Sequence, residues 1–124
     1  MKTRVLAIDD SRTIRNLLAA CLEEAGFEYH SAVDGREGVD AYPDVAPDVV
    51  ITDINMPNLD GFGVIEELRG EGINSKVPIL VLTTESSADL KARARAAGAT
   101  GWITKPFDDE SLIFALKRVT GAVA

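Results

Sequence analysis

The sequence predicts an α/β fold, a doubly wound domain built on a parallel sheet, and three observations carry that prediction. Residues 5–8, 49–52, 79–82 and 102–104 form short apolar runs without polar alternation, as strands covered on both faces do. Between them lie stretches whose apolar residues recur at helical spacing. Each run also ends on a polar residue of a different kind: Asp9 and Asp10, then Asp53, Thr83 and Lys105. Strands alternating with helices imply right-handed βαβ units.

Taken in order, residues 5–8 are the first strand, and Ser11 then offers a helix N-cap. Ile14, Leu17, Leu18, Cys21, Leu22 and Ala25 are spaced to face one way, and Gly26 supplies the stop. Residues 27–33 mix aromatic, β-branched and polar types, which predicts a second and less buried strand. Asp34 and Gly35 start a short helix that Pro43 helps to end. After the third strand at 49–52, the NMPNLDG segment is a loop, and Phe62, Ile65 and Leu68 mark a helix ended by Gly70 and Gly72. Residues 79–82 are the fourth strand. The fourth helix runs from about Ser87 to Ala97, where Leu90 is the only large apolar residue, so weak anchoring is expected. Residues 102–104 make the fifth strand and 108–119 the last helix, with Leu112, Phe114, Leu116 and Val119 available for burial.

A chain of 124 residues without a Pro-, Gly- or Ser-rich linker predicts a single domain over residues 1–124. With 20 acidic against 13 basic residues and no Lys/Arg cluster, it is not expected to bind nucleic acid. Cys21 is the only cysteine and lies on a helix's apolar stripe, so it reads as an inert buried thiol. Lys2 and Arg4 precede an apolar run too short for a signal segment or a membrane span, which predicts a cytoplasmic protein with no membrane partner. His30, the only histidine, falls on the second strand away from the polar strand ends and is assigned no chemistry.

In a parallel α/β sheet the strand carboxyl ends share one edge, so Asp9, Asp10, Asp53, Thr83 and Lys105 are expected to meet there. Two like charges about 4 Å apart near a surface repel by roughly 4 kcal/mol, so three carboxylates call for a cation. A metal site with nearby reactive chemistry is the expected result.

The same residues resemble the receiver domain of two-component response regulators, most closely the single-domain, CheY-like chemotaxis type. The resemblance spans essentially the whole chain: Asp9-Asp10, the segment from Asp53 through Asn55, Met56, Pro57, Asn58, Leu59 and Asp60 to Gly61, Thr83, and Lys105-Pro106-Phe107. It implies the flavodoxin-like (βα)5 fold with strand order 2-1-3-4-5, and phosphoryl transfer from a sensor histidine kinase, CheA-like in the chemotaxis case, onto Asp53. By that resemblance Asp10 and Asp53 ligate Mg²⁺ directly, Asp9 acts largely through water, and the Asn55 main-chain carbonyl completes the protein ligands. Lys105 pairs with a phosphoryl oxygen, and Thr83 donates its hydroxyl to another. Mg²⁺ suits such a set, being a hard cation that commonly takes one or two carboxylates plus phosphate.

The resemblance further implies a switch pair, Thr83 with Trp102, that alters the face of the fourth helix, fifth strand and fifth helix, where targets bind. Trp102 stands where tyrosine or phenylalanine is usual. Asn55 and Glu85 are expected to set the phosphoryl lifetime, with Thr84 crowding the path of water. The implied protein catalyses its own phosphorylation and dephosphorylation and otherwise signals. It is a monomer whose partners are the kinase, a flagellar motor switch protein or equivalent output, and a phosphatase. A phosphorelay or cell-cycle shuttle acting on a histidine phosphotransfer protein is the alternative. A Mg²⁺-dependent phosphohydrolase is more distant, because Asn55 occupies the position where the second acid would stand. An FMN binder is disfavoured by Asp9 and Asp10, which would repel the phosphate.

Overall fold

Each apolar run becomes a strand. The computed structural model describes residues 2–121. Its strands are β1 (Arg4–Ile8), β2 (Glu28–Ala32), β3 (Val49–Thr52), β4 (Ile79–Thr83) and β5 (Gly101–Thr104). They alternate with α1 (Arg12–Glu24), α2 (Gly35–Val45), α3 (Gly61–Arg69), α4 (Ala88–Ala97) and α5 (Asp109–Thr120). All pairings are parallel and the order is β2-β1-β3-β4-β5, the flavodoxin-like doubly wound sheet.

The uninterrupted apolarity of β1, β3 and β4 has a direct cause. Successive side chains on a strand point to opposite faces, and both faces are covered. Leu6, Ile8, Val50 and Val81 pack with Val39 of α2, Phe62, Ile65 and Leu68 of α3, and Ala94 of α4. Val5, Ala7, Val49, Ile51, Leu80 and Leu82 pack with Leu18 and Leu22 of α1 and Leu112 and Leu116 of α5. The helices start where side-chain caps exist: Ser11, Asp34, Asp60, Ser87 and Asp108 each accept from a backbone N–H three residues on. Cys21 lies in the second core as expected, and burial pushes its thiol up to about 11, which leaves it protonated and unreactive.

Three expectations need correction. Helix α2 does not end at Pro43 but carries it inside and continues to Val45. Proline lacks an N–H and its ring crowds the carbonyl four residues back, but its fixed φ is helical and the helix carries it for its last turn; the stop comes from Ala46, left-handed at φ 47°, whose N–H bonds the Tyr42 carbonyl. Phe114 is 66% exposed rather than buried. It lies two residues from both Leu112 and Leu116, about 200° around the helix from the face they bury. Leu17 of α1 is 53% exposed, and Ala25, the cap just beyond the helix, is also exposed, so that apolar stripe is narrower and shorter than its composition suggests.

Weak anchoring of α4 is observed, since Ala94 is its only buried residue. Polar contacts tether it instead. The Arg93 guanidinium sits 3.9 Å over the Phe62 ring. From α3, Arg69 reaches the Gly98 carbonyl at the helix end through Nε (3.2 Å) and Nη2 (2.8 Å), and the Ser75 carbonyl through Nη1 (3.1 Å). Among the described residues no helix is long and apolar enough to cross a membrane.

Candidate functional site

The hydrogen-bond ladders run past the strand ends and fix the polar residues there. Asp53 N–H donates to the Ile8 carbonyl (3.0 Å), Asp9 N–H to Ala32 (3.2 Å) and Lys105 N–H to Thr83 (2.7 Å). Carboxylate oxygens of Asp9, Asp10 and Asp53 thereby come within 4.8 Å of one another. The Lys105 Nζ lies between two of them, 2.8 Å from Asp9 Oδ2 and 2.9 Å from Asp53 Oδ2. Backbone donors take the opposite oxygens: Ser11 N–H on Asp9 Oδ1 (2.9 Å) and Ile54 N–H on Asp53 Oδ1 (2.6 Å). Asp9 is buried, Asp53 is 9% exposed, and Asp10 faces solvent, so the cluster opens on one side.

Burial pushes the Asp9 carboxyl above its ordinary range, and the Asp53 charge adds to this, although Lys105 and the Ser11 N–H oppose it. Burial alone would lower Lys105, but its bonds to Asp9 and Asp53 outweigh that and hold the ammonium above the usual lysine range. The donors are hard oxygens in a partly open cluster carrying excess negative charge, a fit for Mg²⁺ rather than for a softer ion.

Thr83 is fully buried, and its Oγ1 accepts a long bond from Glu85 N–H at 3.4 Å. The Trp102 indole N–H donates to the Glu85 carbonyl at 3.0 Å, and Asn55 Nδ2 donates to Glu85 Oε1 at 3.2 Å. Glu85 therefore joins Thr83, Trp102 and Asn55, a convergence not anticipated from the sequence because two of its three contacts use backbone atoms. Thr84 is exposed. Arg15 also escaped notice: its Nη1 donates to the Asp9 carbonyl at 2.8 Å, a contact with no sequence signature. His30 pairs with Glu28 at 2.7 Å on the edge strand and takes no part in the cluster.

Gly61 sets the path of the chain behind Asp53. Its N–H bonds the Ile54 carbonyl at 2.9 Å, and a Cβ there would overlap the Asp53 carbonyl oxygen and approach Ile54 Cα within 2.8 Å. Gly61→Ala is expected to destabilise the protein by about 2 kcal/mol or more; a chemical-denaturation midpoint equal to that of the parent would contradict this close approach.

The family model described as "Response regulator receiver domain" matches residues 5–117. The chain belongs to this receiver-domain family. Chemotaxis response regulator CheY4 of Vibrio cholerae superposes with a TM-score of 0.89 at 42% identity, over 96% of this chain and 99% of that one. Protein PilH of Pseudomonas aeruginosa is 35% identical over 94% of this chain and 96% of its own length. Response regulator MprA of Mycolicibacterium vanbaalenii is 38% identical over 96% of this chain but only 51% of its own length. The chain thus spans about half the length of MprA, and 24% of regulatory protein AtoC of Escherichia coli. As a receiver domain it is a signalling unit of two-component systems, and receivers bind Mg²⁺ at an acidic pocket of the kind that Asp9, Asp10 and Asp53 form.

Proposed function

We propose that residues 1–124 form one receiver domain, phosphorylated on Asp53 by a sensor histidine kinase in a Mg²⁺-dependent reaction. The observation that carries this reading is the Lys105 ammonium within 2.9 Å of both Asp9 and Asp53. An Asp53 oxygen attacks the phosphorus, the new O–P bond forms as the P–N bond to the donor imidazole breaks, and the imidazole nitrogen keeps that electron pair. Catalysis is then a matter of neutralising charge and holding geometry. Lys105 moves its hydrogen bond from Asp53 Oδ2 to a phosphoryl oxygen. Asp10 and Asp53 would hold Mg²⁺ directly, Asp9 through water, and the Asn55 main-chain carbonyl would complete the set; the ion offsets the incoming negative charge.

Thr83 is the hydroxyl donor to the phosphoryl group. Its turn inward gives up the Glu85 N–H, while the Glu85 carbonyl holds Trp102, so both partners of the switch meet at one residue. The loosely packed α4, with β5 and α5, forms the output face. Similarity to a chemotaxis response regulator supports a CheA-like kinase and a flagellar motor switch protein as its partners. A phosphatase joins Asn55, Thr84 and Glu85 in setting the lifetime, and the protein works as a cytoplasmic monomer.

The test is incubation with a small acyl phosphate, with and without Mg²⁺, following protein mass and Trp102 fluorescence, then titration against a motor switch protein. Mg²⁺-dependent mass gain, a fluorescence change and tighter binding are expected. Reverse transfer to a histidine phosphotransfer protein without motor-protein binding would replace the chemotaxis reading with that of a phosphorelay shuttle. Thr84→Ala is expected to hasten loss of the phosphoryl group roughly threefold, under 1 kcal/mol of barrier; an unchanged decay rate would remove Thr84 from lifetime control.

A further inference from the structure

The loop from β3 to α3 contains a tight turn that the chemistry above leaves unexplained. Leu59 N–H bonds the Pro57 carbonyl at 2.7 Å across Asn58, which has φ 68°. A two-residue closure around a positive φ is the classic γ-turn, a rare and strained form. The turn is fastened from outside, because Asn58 Nδ2 donates to Asp34 Oδ2 at 2.7 Å.

Asp34 is itself locked. Its other oxygen caps α2 by accepting Glu37 N–H at 2.8 Å, and Glu37 Oε1 reaches back to Val33 N–H at 3.1 Å. The Glu37 N–H and then Asn58 hold the Asp34 carboxyl below its usual range, so it stays an acceptor and fixes which way the Asn58 amide points. Beside it, Gly35 has no room for a Cβ, which would overlap the Leu59 carbonyl oxygen. The turn before α2 is thus pressed against the same loop. Asn58 is exposed and Asp34 half-buried, and their bond lies at the surface, where one hydrogen bond adds little to global stability.

We propose that Asp34 and Asn58 form a positioning clamp, holding the β3–α3 loop so that the Asn55 carbonyl, three residues before Asn58, is set for Mg²⁺. The clamp rests on the reading of Asn55 as a metal ligand. Neither Asp34 nor Asn58 touches the ion. Without their bond the strained turn relaxes, and Asn55 is no longer held before the ion arrives.

The test measures Mg²⁺ affinity of the unphosphorylated protein by calorimetry and exchange of the Leu59 amide by NMR. Asn58→Gly keeps the positive φ but deletes the bond. Asp34→Ser keeps a cap for α2 but has no second oxygen for Asn58. Each is expected to weaken Mg²⁺ binding about tenfold, as loss of a group that orients a ligand does, and to speed Leu59 exchange. The double variant should be no weaker than either single one. Asp34→Asn, which can rebuild the bond once the Asn58 amide turns over, should bind Mg²⁺ within about twofold of the parent. Parental affinity in both Asn58→Gly and Asp34→Ser, or effects that multiply in the double variant, would overturn the clamp alone. Lack of saturable Mg²⁺ binding by the parent, or parental affinity in Asp10→Asn, would overturn the metal reading and the clamp with it.

Discussion

Replacing Asp53 with asparagine is expected to reduce phosphoryl uptake by at least about a thousandfold, because an amide oxygen is not a competent nucleophile at phosphorus. The substitution is nearly isosteric, and the side-chain oxygen can still accept the Ile54 N–H that Asp53 Oδ1 takes now. The fold therefore survives. Stability should in fact rise without Mg²⁺, by about 1 kcal/mol, since one of three crowded carboxylates is gone while Lys105 keeps its 2.8 Å bond to Asp9. Loss of function with gain of stability is the signature of a site held together against its own charge. Mass spectrometry after treatment with an acyl phosphate, together with thermal melts, checks both halves. Uptake at the parental rate would remove Asp53 as the acceptor.

Lys105→Ala carries the opposite sign for stability. It strips the ammonium from Asp9 and Asp53 in a place where the lysine side chain is only 9% exposed. Removing one partner of a buried ion pair costs roughly 3–5 kcal/mol, and the open Asp10 side puts the expected loss nearer 2 kcal/mol. Added Mg²⁺ should recover part of the loss, since it supplies charge to the same oxygens. Phosphoryl uptake should fall about a hundredfold, as when one preorganised donor to a developing charge is removed. Denaturation midpoints with and without Mg²⁺ decide the matter; a deficit that Mg²⁺ leaves untouched would argue against shared oxygens. The pH dependence follows from the shifts. Lys105, raised when folded, contributes stability that is full below 10.5 and is lost as pH climbs through its folded value. Asp9 is also raised, so its contribution is full below 3.8 and gone above its folded value. Lys105→Ala should therefore flatten the alkaline limb of a stability profile.

The order of elements was legible because β1, β3 and β4 are covered on both faces, which leaves a run of apolar residues that little else produces. Faces were harder. Phe114 and Leu17 have core composition but the wrong angular position, and apolarity alone does not report angle. At the site, Asp9, Asp53 and Lys105 could be placed from the sequence because the parallel ladder continues one residue past each strand and carries them to one edge. The Trp102–Glu85 and Asn58–Asp34 bonds could not. One uses a backbone carbonyl and the other joins two loops 24 residues apart, and neither depends on a pattern of residue types.

The tethering of α4 by Arg69, Arg93 and its cap, rather than by buried apolar side chains, has a thermal consequence. Heat capacity rises on opening in proportion to the apolar surface exposed. Detaching α4 uncovers Ala94, the part-buried Leu90 and Ala97 and the patch of core they cover, far less apolar surface than the two cores hold, so its van't Hoff line should curve much less than that for unfolding of the two cores. The α4 equilibrium would then shift with temperature at a nearly constant enthalpy, set by the polar tethers that open, while the stability of the sheet beneath it follows a curved profile.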